Sequence, residues 1–115
     1  MKNQLPKATE HQIQRVILDW LACIRVFAWR ANTGAIAAEY KGKSRFMRFG
    51  PKGQADIIGI LPNGRFLAIE VKRIGKEASD DQQRFLRRIT AAGGLAFAAH
   101  SLEECQERIT WMETI

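Results

Sequence analysis

Cysteine is scarce in this chain: Cys23 and Cys105 are the only two in 115 residues. They lie far apart and belong to no CxxC pair, which argues against a thiolate zinc site and a disulfide framework. Both fall on helix faces expected to be apolar, so two buried free thiols are expected. Histidine is equally rare. His11 and His100 have no ligand-like spacing around them and read as structural or surface residues. No apolar run approaches the ~20 residues that span a bilayer. Met1 to Gln12 is polar and has no signal-peptide core, so a cytoplasmic protein with no membrane partner is expected. A P-loop is also missing. Gly42-Lys43-Ser44 lacks the usual first glycine, a strand before it and a helix after it, so no nucleotide cofactor is expected. Repeats, linkers and low-complexity segments are absent, and residues 1–115 read as a single domain.

Acidic residues are few outside the last stretch. Residues 101–115 hold four glutamates against Arg108, a balance of −3, so the first hundred residues carry +9 of the net +6. A basic body of this kind favours polyanions, of which nucleic acid is the commonest. The cations are densest at Lys41, Lys43, Arg45, Arg48 and Lys52, in a stretch read as a loop without one acid. Tyr40, Phe46 and Phe49 are interleaved with them. The basic residues are assigned to phosphate contact, and the aromatics read as anchors to the core.

The chain's most telling feature is a short hairpin. Residues 56–61 (Asp-Ile-Ile-Gly-Ile-Leu) and 65–72 (Arg-Phe-Leu-Ala-Ile-Glu-Val-Lys) are apolar, β-branched runs separated by Pro62-Asn63-Gly64. Proline suits the first central position of a type I turn, and Gly64 suits the left-handed position that follows. Folding about Asn63 pairs Leu61 with Arg65, Ile57 with Ile69 and Asp56 with Glu70. Alternation puts Lys72 on the face of Glu70, beside Ile58, Ile60, Phe66 and Ala68. Ile57, Leu67, Ile69 and Val71 fall on the other face. Both faces are apolar, so the hairpin is expected at the centre of a covered sheet. Two acids directly opposed there repel one another unless a cation sits between them. The bland alternative is a plain hairpin with a frayed, solvated end.

Around the hairpin the pattern is helical. Ile13, Ile17, Trp20, Leu21 and Ile24 form an amphipathic stripe opened near Thr9, and Val26 to Trp29 reads as a strand. Ser79 with Gln82 makes a capping box for a helix carrying Phe85, Leu86 and Ile89, ended by Gly93-Gly94. Residues 95–99 read as a strand. Ser101 with Glu104 opens a last helix, with Leu102, Cys105, Ile109 and Met112 inside. The order α-β-β-β-α-β-α predicts an α/β protein: a three-layer sandwich around a mixed four-stranded sheet, with the last strand parallel to its neighbour.

Taken together, Glu10, Gly53-Gln54-Ala55-Asp56, Ala68-Ile69-Glu70-Val71-Lys72-Arg73, Ser79-Asp80-Asp81-Gln82 and Ala92-Gly93-Gly94 resemble the PD-(D/E)XK nucleases. Within them the chain is most similar to the VRR-NUC family of virus-type replication and repair nucleases, in its stand-alone form, although Ala55 stands where that family often has proline. The resemblance implies a restriction-endonuclease-like core. It implies a metal site made of Asp56, Glu70 and the Val71 carbonyl, with Glu10 holding a second metal or a metal-bound water. Lys72 is implied to orient or activate the attacking water, and Gln82 to reach the site from the side. Arg73 joins the basic residues as a DNA contact. The implied activity is endonucleolytic cleavage of DNA, often at branched structures such as four-way junctions or flaps, by a chain that can form a homodimer. Hard oxygen donors favour Mg²⁺ or Mn²⁺ over zinc. A non-catalytic DNA-binding module on the same fold, and a ribonuclease, remain open alternatives. Repair, recombination and phage replication are not distinguished.

Overall fold

A computed structural model describes residues 6–31, 35–40, 43–48 and 50–114; for 35–40 and 43–48 the backbone alone is described. In chain order the elements are α1 (Glu10–Cys23), β1 (Phe27–Arg30), β2 (Ala35–Tyr40), β3 (Lys43–Arg48), β4 (Ile57–Ile60), β5 (Phe66–Val71), α2 (Asp80–Ala91), β6 (Leu95–Ala99) and α3 (Leu102–Arg108). A 3₁₀ turn, Trp111–Thr114, follows. The main sheet runs β1-β4-β5-β6. The first three strands are mutually antiparallel, and β6 lies parallel to β5. This is the expected mixed four-stranded sheet. One element is additional: β2 and β3 pair as a separate antiparallel ribbon between the first and second strands of the sheet. The stretch read as a basic loop is therefore partly strand. Its charges mark no strand, and its residues show no regular apolar alternation.

The hairpin forms in the expected register, Ile57 opposite Ile69 and Ile60 opposite Phe66. Gly64 takes φ +88°. Its N–H donates to the Leu61 carbonyl at 2.8 Å, and Asn63 Oδ1 accepts from the Arg65 N–H at 3.0 Å. Alternation then divides the core in two. On one face Ile57, Leu67, Ile69 and Val71 pack with Ile13, Ile17 and Leu21 of α1 and with Cys105 and Ile109. On the other, Ile58, Ala68 and Ala96 meet Leu86 of α2, with Phe85 and Ile89 at its margin. Each fully buried aliphatic side chain contributes about 1.5–3 kcal/mol, so the sheet is clamped from both sides. Gly59 lets β1 approach: a Cβ there would lie 2.7 Å from the Phe27 carbonyl oxygen.

Three details depart from the sequence reading. Cys23 is exposed, because it stands about 200° around the helix from Leu21. Cys105 is buried as expected, and burial pushes its thiol up to about 12. Met112 is 62% exposed, since α3 ends at Arg108 and the helical stripe does not extend into the 3₁₀ turn. Finally, Ser101 Oγ accepts the Glu104 N–H, but the Glu104 carboxylate accepts the N–H of His100 at 2.7 Å, so the box closes one residue earlier.

His100 ties the end of β6 to the segment after β5. Its Nε2 lies 2.9 Å from the Lys76 carbonyl, and its Nδ1 lies 3.1 Å from Glu104 Oε2. Both partners are acceptors, so the imidazolium satisfies both. The Lys76 carbonyl holds its pKa above 6.5 against the opposing effect of burial, with Glu104 and then Glu77 adding to the rise. A raised histidine adds stability that is complete below the unfolded value and lost as pH rises through the folded one. Thermal midpoints measured between about pH 6 and 8 should therefore fall with rising pH, and His100→Gln should remove that part of the decline. An identical profile in the variant would refute the assignment.

Candidate metal and phosphodiester site

The site grows from the end of the central hairpin. Asp56 immediately precedes β4. Its backbone carbonyl accepts the Ala31 N–H at 2.8 Å, which anchors it to β1. Its Oδ2 accepts the Val71 N–H at 2.9 Å, which aims the carboxylate at the adjacent strand. Glu70, on β5, is 1% exposed and Asp56 is 8% exposed. One strand thus contributes side chains in both directions: Val71 enters the α1 core while Glu70 turns to the acid pair.

Gln82 reaches Glu70 from α2. Its Oε1 accepts the Ser79 N–H at 2.8 Å, completing the capping box. That bond fixes the amide so that Nε2 donates to Glu70 Oε1 at 3.2 Å. The capping residue is therefore also a site residue. Gly53 makes the approach feasible. It has φ +78°, and a Cβ on it would lie 2.3 Å from the Asp81 carbonyl oxygen and 2.8 Å from the Gln82 nitrogen. The turn that delivers Asp56 lies directly against the helix end that delivers Gln82.

Glu70 Oε2 is buried and meets no donor from the protein. Its proton affinity is raised to about 9, first by burial, then by a hydrogen bond and charge repulsion from Asp56; Lys72 opposes the shift and Glu10 adds to it. A carboxyl whose proton affinity lies near 9 is protonated at neutral pH, so without a cation Glu70 holds a proton. This is the behaviour of a site suited to a divalent ion: hard oxygen donors, one of them unpartnered, with a charge deficit that a proton fills in the ion's absence.

Glu10 sits in the first turn of α1, where Thr9 caps the helix. Its Oε2 accepts the Arg73 N–H at 3.3 Å. Glu10 acts on Glu70 through charge. No group of three His, Cys, Asp or Glu close enough to hold a metal occurs among the described residues. The acid centre is thus a pair, whose remaining donors must be carbonyl or water oxygens. Mg²⁺ commonly binds in this way, through one or two carboxylates with several waters retained.

Lys72 and Glu10 open into a cleft of about 740 Å³, whose rim also carries Lys7, Arg73 and Lys76. Arg73 was expected there. Lys7 and Lys76 were not, and only the packing of the α1 start against residues 73–77 brings Lys7 close. Lys52 pairs with Asp81 at 3.1 Å. The side chains of Lys43, Arg45 and Arg48, and all of Lys41, lie outside the described residues.

Comparison with known proteins adds the family. The sequence model of the VRR-NUC domain matches residues 8–103. A solved VRR_NUC domain superposes with a TM-score of 0.61 at 21% identity, over 89% of this chain and 96% of that one. A VRR_NUC domain protein gives 0.53 at 21% identity, over 90% of each chain. At that identity the structures speak for the fold alone. No curated protein matches the chain.

The proton on the acid pair yields a measurable consequence. Because Glu70 binds its proton more tightly folded than unfolded, the stability it contributes is complete below about pH 4.5 and is lost as pH rises toward about 9. Urea unfolding of the metal-free protein should show this loss, at most about 1.4 kcal/mol per pH unit. Glu70→Gln, an uncharged isostere, should flatten it, and Mg²⁺ or Mn²⁺ uptake by the wild type near neutral pH should release a proton. Calorimetry in buffers of different ionisation enthalpy measures that release; metal uptake without it contradicts the shared proton.

Proposed function

The chain belongs to the VRR-NUC family, a nuclease family, and we propose that it is a metal-dependent endodeoxyribonuclease that hydrolyses phosphodiester bonds, selectively in branched DNA such as four-way junctions or flaps. The observation that carries this reading is the buried Asp56–Glu70 pair with its undonated Glu70 Oε2, beside Lys72 at the mouth of a cationic cleft.

In this reading Asp56, Glu70 and the Val71 carbonyl hold Mg²⁺ or Mn²⁺, with Glu10 contributing through water. The ion supplies Lewis-acid polarisation of the scissile phosphoryl group. Lys72 orients the attacking water and offsets charge on the phosphorane. Gln82 keeps Glu70 turned inward through its Nε2. Arg73, with Lys7 and Lys76, draws the strand into the cleft beside Lys72. Lys41, Lys43, Arg45, Arg48 and Lys52 extend the phosphate contact along the chain. Branched-substrate preference and a homodimer that handles two strands belong to the same proposal, with roles in repair, recombination or phage replication; a cytoplasmic site of action suits them.

Asp56→Ala and Glu70→Ala should each lower cleavage by about 10²–10³-fold or more. DNA binding should stay near normal or tighten, since neither acid lines the cleft and its cations stay in place. Lys72→Ala should slow cleavage without weakening metal uptake. The assay is a panel of duplex, flap, splayed and four-way DNA with Mg²⁺ and with Mn²⁺. Undiminished cutting by the purified Asp56→Ala, Glu70→Ala double variant would overturn the assignment.

A further inference from the structure

We propose that a groove along α2, walled by Lys52, Arg84 and Arg88 and floored by Phe85, is a second nucleic-acid contact that grips the sugar–phosphate backbone beyond the catalytic acids. The inference rests on the nuclease reading above, which uses Lys52 alone of these residues, and it adds Arg84, Phe85 and Arg88. The groove has a volume of about 420 Å³ and is separate from the cleft that contains Lys72.

Its charge is lopsided. Three cations face one acid, Asp81, which lies 3.1 Å from Lys52 Nζ and 3.4 Å from Arg84 Nη1. The side chains of Lys52 and Arg84 are 67% and 66% exposed, so their ion pairs with Asp81 leave them open to solvent. Such exposed pairs hold weakly, at about 0–1 kcal/mol, and give way readily to a polyanion. Arg88 has less local support. Its neighbours three and four residues away on α2 and just beyond are Phe85, Ala91, Arg84 and Ala92. A like-charged pair at i,i+4 destabilises a helix slightly, and the acid on this face, Asp81, pairs with Lys52 and Arg84 rather than with Arg88. The half-buried Phe85 and Ile89 form an apolar strip between the cations, a surface on which a sugar can rest.

Position links the groove to the site. Lys52 adjoins Gly53, which lies against the backbone of Asp81 and Gln82, and Gln82 bonds to Glu70. From Gln82 to Arg88 the helix advances about 9 Å, close to the axial run of two to three nucleotides at about 3.4 Å each. A strand with one phosphate at the acid pair can therefore meet Arg84 and Arg88 with its next few.

The test measures binding of a fluorescein-labelled splayed DNA duplex by anisotropy, in EDTA and over a salt series. The wild type, Arg84→Ala/Arg88→Ala, Arg84→Lys/Arg88→Lys and Arg87→Ala are compared, each checked for folding by circular dichroism. Arg87 does not line the groove. The double alanine variant should lower the slope of log K against log salt by about 2, the loss of two phosphate contacts. The lysine variant and Arg87→Ala should keep the wild-type slope. An unchanged slope in the folded double alanine variant, an equal loss in Arg87→Ala, or no DNA binding by the wild type would each overturn the groove. Cleavage of the same DNA by the wild type in Mg²⁺ and Mn²⁺ is scored separately. Salt-sensitive binding through the groove without cleavage would sink the nuclease reading and leave the groove standing.

Discussion

Two carboxyl groups held against each other in a buried pocket organise this molecule. Neither Asp56 nor Glu70 gains from that position alone. Burial and mutual repulsion raise the proton affinity of Glu70 to about 9, and its Oε2 finds no protein donor. Neighbouring chemistry reduces the cost without removing it: the Val71 N–H bonds to Asp56, the Gln82 amide bonds to Glu70, and Lys72 counters the charge. A fold that kept this pair for stability alone would do better with two apolar residues of similar volume. The arrangement makes sense as a seat for positive charge, taken by a proton when no metal is supplied.

Rigid packing lets the fold carry that cost. The acids stand at the end of the two central strands, covered by α1 and α3 on one face and by α2 on the other. The three segments that reach the site are tied to one another: residues 53–56 lie against the start of α2 at Gly53, and the Glu10 carboxylate accepts from the Arg73 N–H. His100 then fixes residue 76 from β6. The loop after Lys72 is thus held at both ends, which keeps the lysine and the cleft in register with the acid pair.

Much of this was legible in the sequence because period-2 alternation and turn chemistry are local. Pro62-Asn63-Gly64 set the loop length, the loop set the pairing of Ile57 with Ile69, and that pairing brought Asp56 to Glu70. Ser79 and Gln82 marked a helix start by spacing alone. What escaped was non-local or depended on where an element stops. Lys7 joins the cleft only because α1 begins beside residues 73–77. The exposure of Cys23 was legible, since the stripe of Ile13, Ile17 and Leu21 read from the sequence faces away from it, whereas Met112 looked buried only if α3 ran on. Strands 35–40 and 43–48 were hidden because their sequences, AIAAEY and KSRFMR, show no apolar alternation. His100, without a ligand-like spacing, gave no hint that it bridges β6 to the Lys76 carbonyl.

The capping box of α2 shows how stability and function share atoms here. An isolated helix start with serine and glutamine three residues apart needs only the reciprocal bonds between them. In this chain the glutamine amide has one end committed to that cap, so its other end has a fixed direction, and that direction is toward Glu70. The cap thereby converts a flexible side chain into a rigid donor at low entropic cost. The same residue could not serve as well from mid-helix, where no backbone N–H would hold its oxygen. Helix initiation beside the acid pair is therefore part of the site's construction, and the close approach at Gly53 brings that helix start within reach.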